Sequence, residues 1–322
     1  MAPLLPHLPS PADYRRVHTD GATWLPTATA ICSRHGLDAS ALEHQIAGTH
    51  VVFRTGSRIV KLYAPFWLDD FTAEHTALLP LRGLPTPELV AQGEIEGWPY
   101  LVMTVVPGTP AEEIWPELRG AERIDIARQL GELMRQLHLQ GPVTELATDW
   151  DAFLRERISG AEEFHAAGEP WRGWIRQMLA DFHEPPFPPV LLHADITADH
   201  ALLSRTAEGW RITGLIDFGD AMMGHPFYDF IAPLACYCFG DPPASRALLE
   251  GYGLDLTPQI ADRLTTYCLL HKYGRIGVFL AYYRKIRLDF RLCGSLFDHF
   301  DELLRVVGHR DEGLELGGSS FG

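Results

Sequence analysis

Between residues 45 and 106 apolar and polar residues alternate in short runs, and beyond that they recur mostly with helical spacing. In Arg58-Ile59-Val60-Lys61-Leu62-Tyr63 the alternation puts Ile59, Lys61 and Tyr63 on one face of a strand. Upstream, Gln45 to Arg54 reads as strand, small-residue turn, strand, and Thr55-Gly56-Ser57 as a second turn. Glu88 to Glu96 and Tyr100 to Val106 read as two more strands around a Gly97-Trp98 turn, with Pro107-Gly108 as the break. Asp70 to Leu79 reads as helix. A helix over Thr23 to His35, capped by Gly36, precedes the strands and has no assigned role.

Further on, Ile126, Leu130, Leu133, Met134 and Leu137 repeat at helical spacing, so Arg123 to Leu139 is expected to be an amphipathic helix stopped by Gly141-Pro142. Trp150 to Phe182 reads as a helical pair joined around Gly168-Glu169-Pro170, and Glu184 to Pro189 as a rigid loop. Ala201-Leu202-Leu203 and Trp210 to Ile216 are strand-like, with polar turn material from Ser204 to Gly209. From Pro243 to about Val307 the pattern is helical, broken at Gly251 to Gly253 and near Gly274 and Gly294. The polar, glycine-rich stretch 308–322 is expected to be a flexible tail.

Composition narrows the class. A chain of 322 residues with 46% hydrophobic content has room for two substantial cores. No apolar run approaches ~18 residues, so no membrane span is expected. Met1 to Ser10 carries prolines and no basic segment, which argues against a secretory signal and for a cytoplasmic protein. Cysteines at 32, 236, 238, 268 and 293 form no disulfide or zinc pattern, and Cys236 and Cys238 are too close together for a zinc knuckle. A net charge of −15 argues against a nucleic-acid partner and suits a cationic substrate, although the charge is spread along the chain.

The chemistry lies in two segments, Leu191-Leu192-His193-Ala194-Asp195-Ile196-Thr197-Ala198-Asp199-His200 and Leu215-Ile216-Asp217-Phe218-Gly219-Asp220. Phosphoryl transfer needs an acceptor hydroxyl held in line and its proton accepted, plus a cation that neutralises phosphate charge. One carboxylate for the acceptor and one for Mg²⁺ would suffice, and Asp195 and Asp217 fit those roles. A hairpin between the segments would bring His200 and Asp217 to one end. Lys61, flanked by Val60 and Leu62, suits a phosphate contact. Glu74 is the candidate ion-pair partner for Lys61, a solvated helix residue being its other reading.

These two segments resemble the catalytic and metal-binding segments of the aminoglycoside phosphotransferase and choline kinase-like family, and more distantly those of protein kinases. The histidine at 200, in place of the usual metal-binding asparagine, is similar to that of aminoglycoside 2''-phosphotransferases and macrolide phosphotransferases. The resemblance implies an α+β, bilobal protein kinase-like fold, with an N-terminal antiparallel sheet lobe and a larger, mainly helical C-terminal lobe. It implies Asp195 as catalytic base, His200 and Asp217 as metal ligands, Lys61 as the phosphate-binding lysine, and His193 and Asp229 as supports of the catalytic loop. Gly48, Thr49 and His50 would cover the nucleotide phosphates. Met103 would sit behind the base, with Thr104 to Val106 along its edge. His138 is expected to pack or cap.

The implied organisation is an N-terminal helical extension over 1–40, a nucleotide-binding lobe over 41–106, a hinge over 107–112, a catalytic and substrate-binding lobe over 113–307, and the tail. The cofactors implied are Mg²⁺ and ATP or GTP as donor. Acidic positions (Asp149, Asp151, Glu156, Glu162, Glu163, Asp220, Asp289, Asp298, Asp301) and aromatic ones (Trp150, Trp171, Trp174, Phe297, Phe300) are candidate linings of an acceptor cleft. Each could equally belong to an ordinary amphipathic helix. An aminoglycoside, a metabolic amino alcohol, sugar or homoserine-like compound, and a macrolide compete as acceptor. A non-catalytic nucleotide-binding regulator is the alternative of another class.

Overall fold

A computed structural model of the protein describes residues 3–164, 171–180, 182–238 and 241–271. Helices α1 (Pro11–Val17) and α2 (Gly21–Arg34) come first, then strands β1 (Glu43–Gln45), β2 (Val51–Thr55) and β3 (Arg58–Leu62). Helix α3 (Leu68–Leu78) separates these from β4 (Leu89–Ile95) and β5 (Trp98–Thr104). The five strands form one antiparallel sheet in the order β1-β2-β3-β5-β4. Asp20 accepts the Ala22 N–H at 3.2 Å, so α2 starts two residues before the expected Thr23. The β4–β5 turn is Glu96-Gly97, not Gly97-Trp98. Both turn residues have positive φ (49° and 85°), the two-residue geometry that follows strand twist, and Trp98 is already in β5.

The alternation read in β3 divides the sheet into two faces. Val60 and Leu62 join Val51, Phe53, Trp98, Tyr100 and Val102 in a core closed by Tyr14, Trp24, Ala28 and Ile31 of the two N-terminal helices. Tyr63, Leu101 and Met103 lie on the other face and belong to the larger core shared with the rest of the chain. The described part of the 1–40 extension, without a role in the sequence reading, thus covers the outer face of the sheet.

The second lobe is mainly helical. It contains strand β6 (Thr109–Pro110), helices α4 (Ala111–Ile114), α5 (Gly120–His138), α6 (Trp150–Phe164) and α7 (Trp171–Ala180), and strands β7 (Val190–Leu192), β8 (Ala201–Thr206), β9 (Gly209–Leu215) and β10 (Met222–Gly224). Helices α8 (Ile231–Cys236), α9 (Pro242–Tyr252) and α10 (Pro258–Leu270) complete the described part. The architecture is the α+β one expected. The five apolar positions of the amphipathic helix, Ile126 to Leu137, are all buried. Trp150 is also buried, stacked on Phe153 and edge-on to Tyr228, so it belongs to the core and not to a cleft rim. Asp149 accepts the Ala152 N–H at 2.9 Å and starts α6. The expected breaks at Gly274 and Gly294, Cys293, the tail, and the candidates at 289, 297, 298, 300 and 301 lie outside the described residues.

Helices α5 and α9 meet through glycines. A Cβ on Gly131 would stand 2.0 Å from Leu248 O, and one on Gly251 would stand 2.1 Å from Arg128 O. Backbone forms both obstacles and cannot rotate away. Gly131→Ala is therefore expected to destabilise the protein by about 1–3 kcal/mol, although alanine is the better helix former. Urea denaturation followed by circular dichroism checks this. An unchanged or higher midpoint would show that the helices separate freely.

Candidate active site

Two ladders frame the site. Strand β8 pairs with β9, Ala201 opposite Leu215, and β7 pairs with β10, Leu192 opposite Met222. The loop 193–200 runs from β7 to β8, and the loop 216–221 runs from β9 to β10. Each connects the same two ladders, so the loops lie side by side. The Ile216 N–H donates to His200 O at 2.9 Å, and His200 Nε2 lies 3.8 Å from Asp217 Oδ2. The hairpin thus does what the sequence required, though β8 runs on to Thr206 and leaves only two residues for the turn.

Hydrogen bonds shape the first loop. Asp229, fully buried behind it, accepts the N–H of His193 at 2.9 Å and of Ala194 at 2.6 Å, and bonds His138 Nε2 at 3.0 Å. Ala194 has φ +63°, and the Asp229 clamp fixes that strained turn just before Asp195. Burial, then the nearby His200, pushes the His193 imidazole down to about 4, so it is neutral near pH 7. His193 Nε2 can then donate to Ile216 O at 3.0 Å while Nδ1 accepts the Asp195 N–H at 3.3 Å. His193 ties the two loops together, His138 packs and braces, and both are buried.

His200 Nδ1 donates to the backbone oxygen of Asp195 at 2.7 Å. In the neutral ring that bond leaves the lone pair on Nε2, on the side of Asp217 and of Asp199 Oδ2 at 3.5 Å. Burial opposes a charged ring here, but Asp217, Asp199 and Asp195 outweigh it and raise the His200 pKa. The Asp195 carboxylate lies 3.6 Å from His200 Nδ1. Tyr237 donates to Thr197 O at 2.6 Å and secures the loop's middle.

From the sheet lobe, Lys61 Nζ bonds Glu74 Oε2 at 2.6 Å and Asp217 Oδ1 at 2.8 Å. Burial alone would lower the lysine pKa, but the two carboxylates raise it above its ordinary value, so it stays charged. For Asp217, burial works against the charge, but Lys61 and then His200 prevail and hold the carboxyl well below the usual range. Asp217 has φ +65°, a second strained residue in the same site. Glu74 is 1% exposed, which decides between its two readings: it is the buried partner of Lys61. Tyr63, not singled out beforehand, donates to the same Glu74 oxygen at 2.5 Å. Its signal was its place on the Lys61 face.

The remaining candidates line the sheet side. Gly48 is exposed with φ +84°, and Thr49 is half-buried. His50 Nε2 lies 3.1 Å from Asp70 Oδ2 of α3, with its ring 4.6 Å from that of Tyr63. Met103 is buried on the Lys61 face. Thr104 is tied to Glu88 by its N–H (3.0 Å) and its hydroxyl (2.9 Å). Val106 lies over Gly214, where a Cβ would meet its Cγ1 at 2.4 Å, so the chain just after β5 packs on the β8–β9 hairpin. Glu112, also missed, donates its N–H to Ala198 O at 2.8 Å. Partial burial, then the charges of Asp199 and Glu113, raise its carboxyl above the ordinary value. The rise from Asp199 shows that the two carboxyls lie close enough to repel, beside the 193–200 loop.

The carboxylate of Asp217 suits a small hard cation that keeps most of its water, and the imidazole of His200 is a second-choice donor for such a cation. Asp217 offers a carboxylate and His200 an imidazole nitrogen, and among the described residues no group of three or more His, Cys, Asp or Glu forms a fuller cage.

The model of the phosphotransferase enzyme family matches residues 40–263. Among curated proteins the chain is 31% identical over 220 residues to an aminoglycoside 3'-phosphotransferase of Streptomyces ribosidificus, covering 63% of this chain and 80% of that one. It is 28% identical over 202 residues to a homoserine kinase of Pseudomonas aeruginosa, covering 58% and 60%. Among solved structures, the GDP complex of aminoglycoside 2'-phosphotransferase-IIIa superposes with a TM-score of 0.65 over 88% of this chain and 97% of that one, at 21% identity. That likeness is one of fold, the kinase-like one.

Proposed function

Since the chain belongs to the phosphotransferase enzyme family and is a small-molecule kinase, we propose that it moves the γ-phosphate of ATP or GTP, with Mg²⁺, to a hydroxyl of an aminoglycoside-type compound. The observation that carries this reading is the meeting of the two loops: His200 Nε2 is 3.8 Å from Asp217 Oδ2, the Asp195 carboxylate lies alongside, and Lys61 faces them from the other lobe.

In this reading the Asp195 carboxylate orients the acceptor hydroxyl and takes its proton as the bond to phosphorus forms. Lys61, kept charged and aimed by Glu74, turns from Asp217 towards the α/β-phosphates. Asp217 and His200 would hold Mg²⁺, which when bound supplies positive charge to the β- and γ-phosphate oxygens. The Gly48–His50 turn would cover the phosphates, and the Thr104–Val106 backbone would meet the edge of the base. The carboxylates of Glu112 and Asp199 favour a cationic acceptor, as does the net charge of −15.

The likeness to a homoserine kinase favours a second reading, a metabolic amino alcohol or homoserine-like acceptor. Nucleoside diphosphate release measured with ATP and GTP separately, over aminoglycosides, macrolides and small amino alcohols, tests both. Turnover with an aminoglycoside at kcat/KM near ~10⁴ M⁻¹s⁻¹ or above is expected. Turnover confined to homoserine or an amino alcohol would transfer the assignment to the second reading. Nucleotide binding without any acceptor would leave a regulatory protein.

A further inference from the structure

The turn that would lie over the nucleotide phosphates is held by a part of the chain outside the family match, which begins at residue 40. Tyr14 of α1 is 1% exposed and donates its hydroxyl to Thr49 O at 2.7 Å. Its ring is wedged among Trp24, Trp67 and Trp98, with centroids 5.9, 5.2 and 6.0 Å away. Such packing leaves the hydroxyl little freedom. The extension is itself anchored: the Glu96 carboxylate accepts the N–H of Leu4 at 2.9 Å and of Leu5 at 3.0 Å, and Thr27 donates to Leu4 O at 2.7 Å.

At its far end the turn is also held by the His50 ring, which packs on Tyr63 at 4.6 Å, whereas the Gly48–Thr49 part has fewer supports among the described residues. Gly48 has no side chain, and nothing stands within 4 Å of where its Cβ would be. On one side the turn is bonded by Tyr14 at Thr49, and on the other by Asp70 at His50. A loop that binds phosphate through its backbone N–H groups loses affinity if it must be ordered on binding, because the ordering cost is subtracted from the contacts made. Resting on the nucleotide reading above, we propose that Tyr14 is a positioning residue for the nucleotide phosphates, with the N-terminal helices acting as the back wall of the phosphate-covering turn.

The test uses the full chain and calorimetric dissociation constants for Mg-ATP or Mg-GTP, whichever the wild type binds more tightly, and for the matching nucleoside. Tyr14→Phe keeps the ring in its aromatic pocket and removes only the hydroxyl. The triphosphate should bind about five-fold more weakly, which is ~1 kcal/mol, the worth of one hydrogen bond. The nucleoside should stay within about two-fold, because it has no phosphate to feel the turn. Thr27→Val removes another buried hydrogen bond of the extension without touching the turn, and should move neither constant. An unchanged triphosphate constant in Tyr14→Phe would overturn the proposal. So would an equal loss for nucleoside and triphosphate, or the same loss in Thr27→Val, since either means general loosening. No nucleotide binding by the wild type would instead overturn the reading of the site itself.

Discussion

Asp195→Asn is expected to lower kcat by about 10²–10⁴-fold with the best acceptor, and to leave Mg-nucleotide affinity within about two-fold. The size follows from the role: a positioned base is worth that much when proton removal accompanies attack, and the amide cannot accept the proton. The selectivity follows from geometry. His200 is oriented by the Asp195 backbone oxygen at 2.7 Å, which the substitution keeps. Lys61 bonds Glu74 and Asp217 and not Asp195. Steady-state kinetics together with nucleotide titration separate the two effects. Turnover near the wild-type value would remove Asp195 from the chemistry, whereas a matching loss of nucleotide affinity would make it part of the donor site.

The second large effect concerns stability. Asp229→Ala should cost about 3 kcal/mol or more, because it strands the buried N–H groups of His193 and Ala194 and removes the partner of buried His138 Nε2. At ~3 °C per kcal/mol for a protein of this size, the melting temperature should fall by about 10 °C. Asp229→Asn keeps one acceptor oxygen and should fall in between. The pH dependence has a definite sign. Burial would raise the Asp229 carboxyl, but the His138 hydrogen bond and charge outweigh it and lower the pKa below 3.8. A depressed folded-state pKa gives stability that is complete above the unfolded value and lost as pH falls through the folded one. Wild-type stability should therefore drop on acidification below about pH 4, with a smaller drop in Asp229→Asn. Calorimetric scans at several pH values measure this, and parallel wild-type and variant curves would contradict it.

What the sequence revealed was mainly local. Period-2 alternation put Lys61 and Tyr63 on one face, and the apolar–polar–apolar run from Ala201 to Ile216 gave the hairpin that brings His200 to Asp217. Glu74 could be named because it lies on the helix that follows the lysine strand, but only its burial shows that it is not a solvated residue. What escaped depends on contacts between distant segments. Glu112 reaches the catalytic loop through a backbone bond to Ala198, and Tyr14 reaches Thr49 across 35 residues. No periodicity encodes either. Trp150 carried a misleading signal, since an aromatic beside acidic residues looks the same from sequence whether it edges a cleft or fills a core. The positive φ of Ala194 and Asp217 was illegible for the opposite reason, because alanine disfavours it, aspartate adopts it only occasionally, and the surrounding bonds decide.

The family match and the unit of folding do not coincide in this chain. The family match starts at residue 40, but the outer face of the sheet, with Phe53, Leu62, Trp98 and Tyr100, is sealed by side chains from residues 5 to 32. A fragment begun at the family boundary would keep every residue of the proposed chemistry and yet present that apolar face to water. A bare patch of this kind promotes self-association. The natural cut for expressing the unit therefore lies before Leu5, well ahead of the residue at which the family match begins.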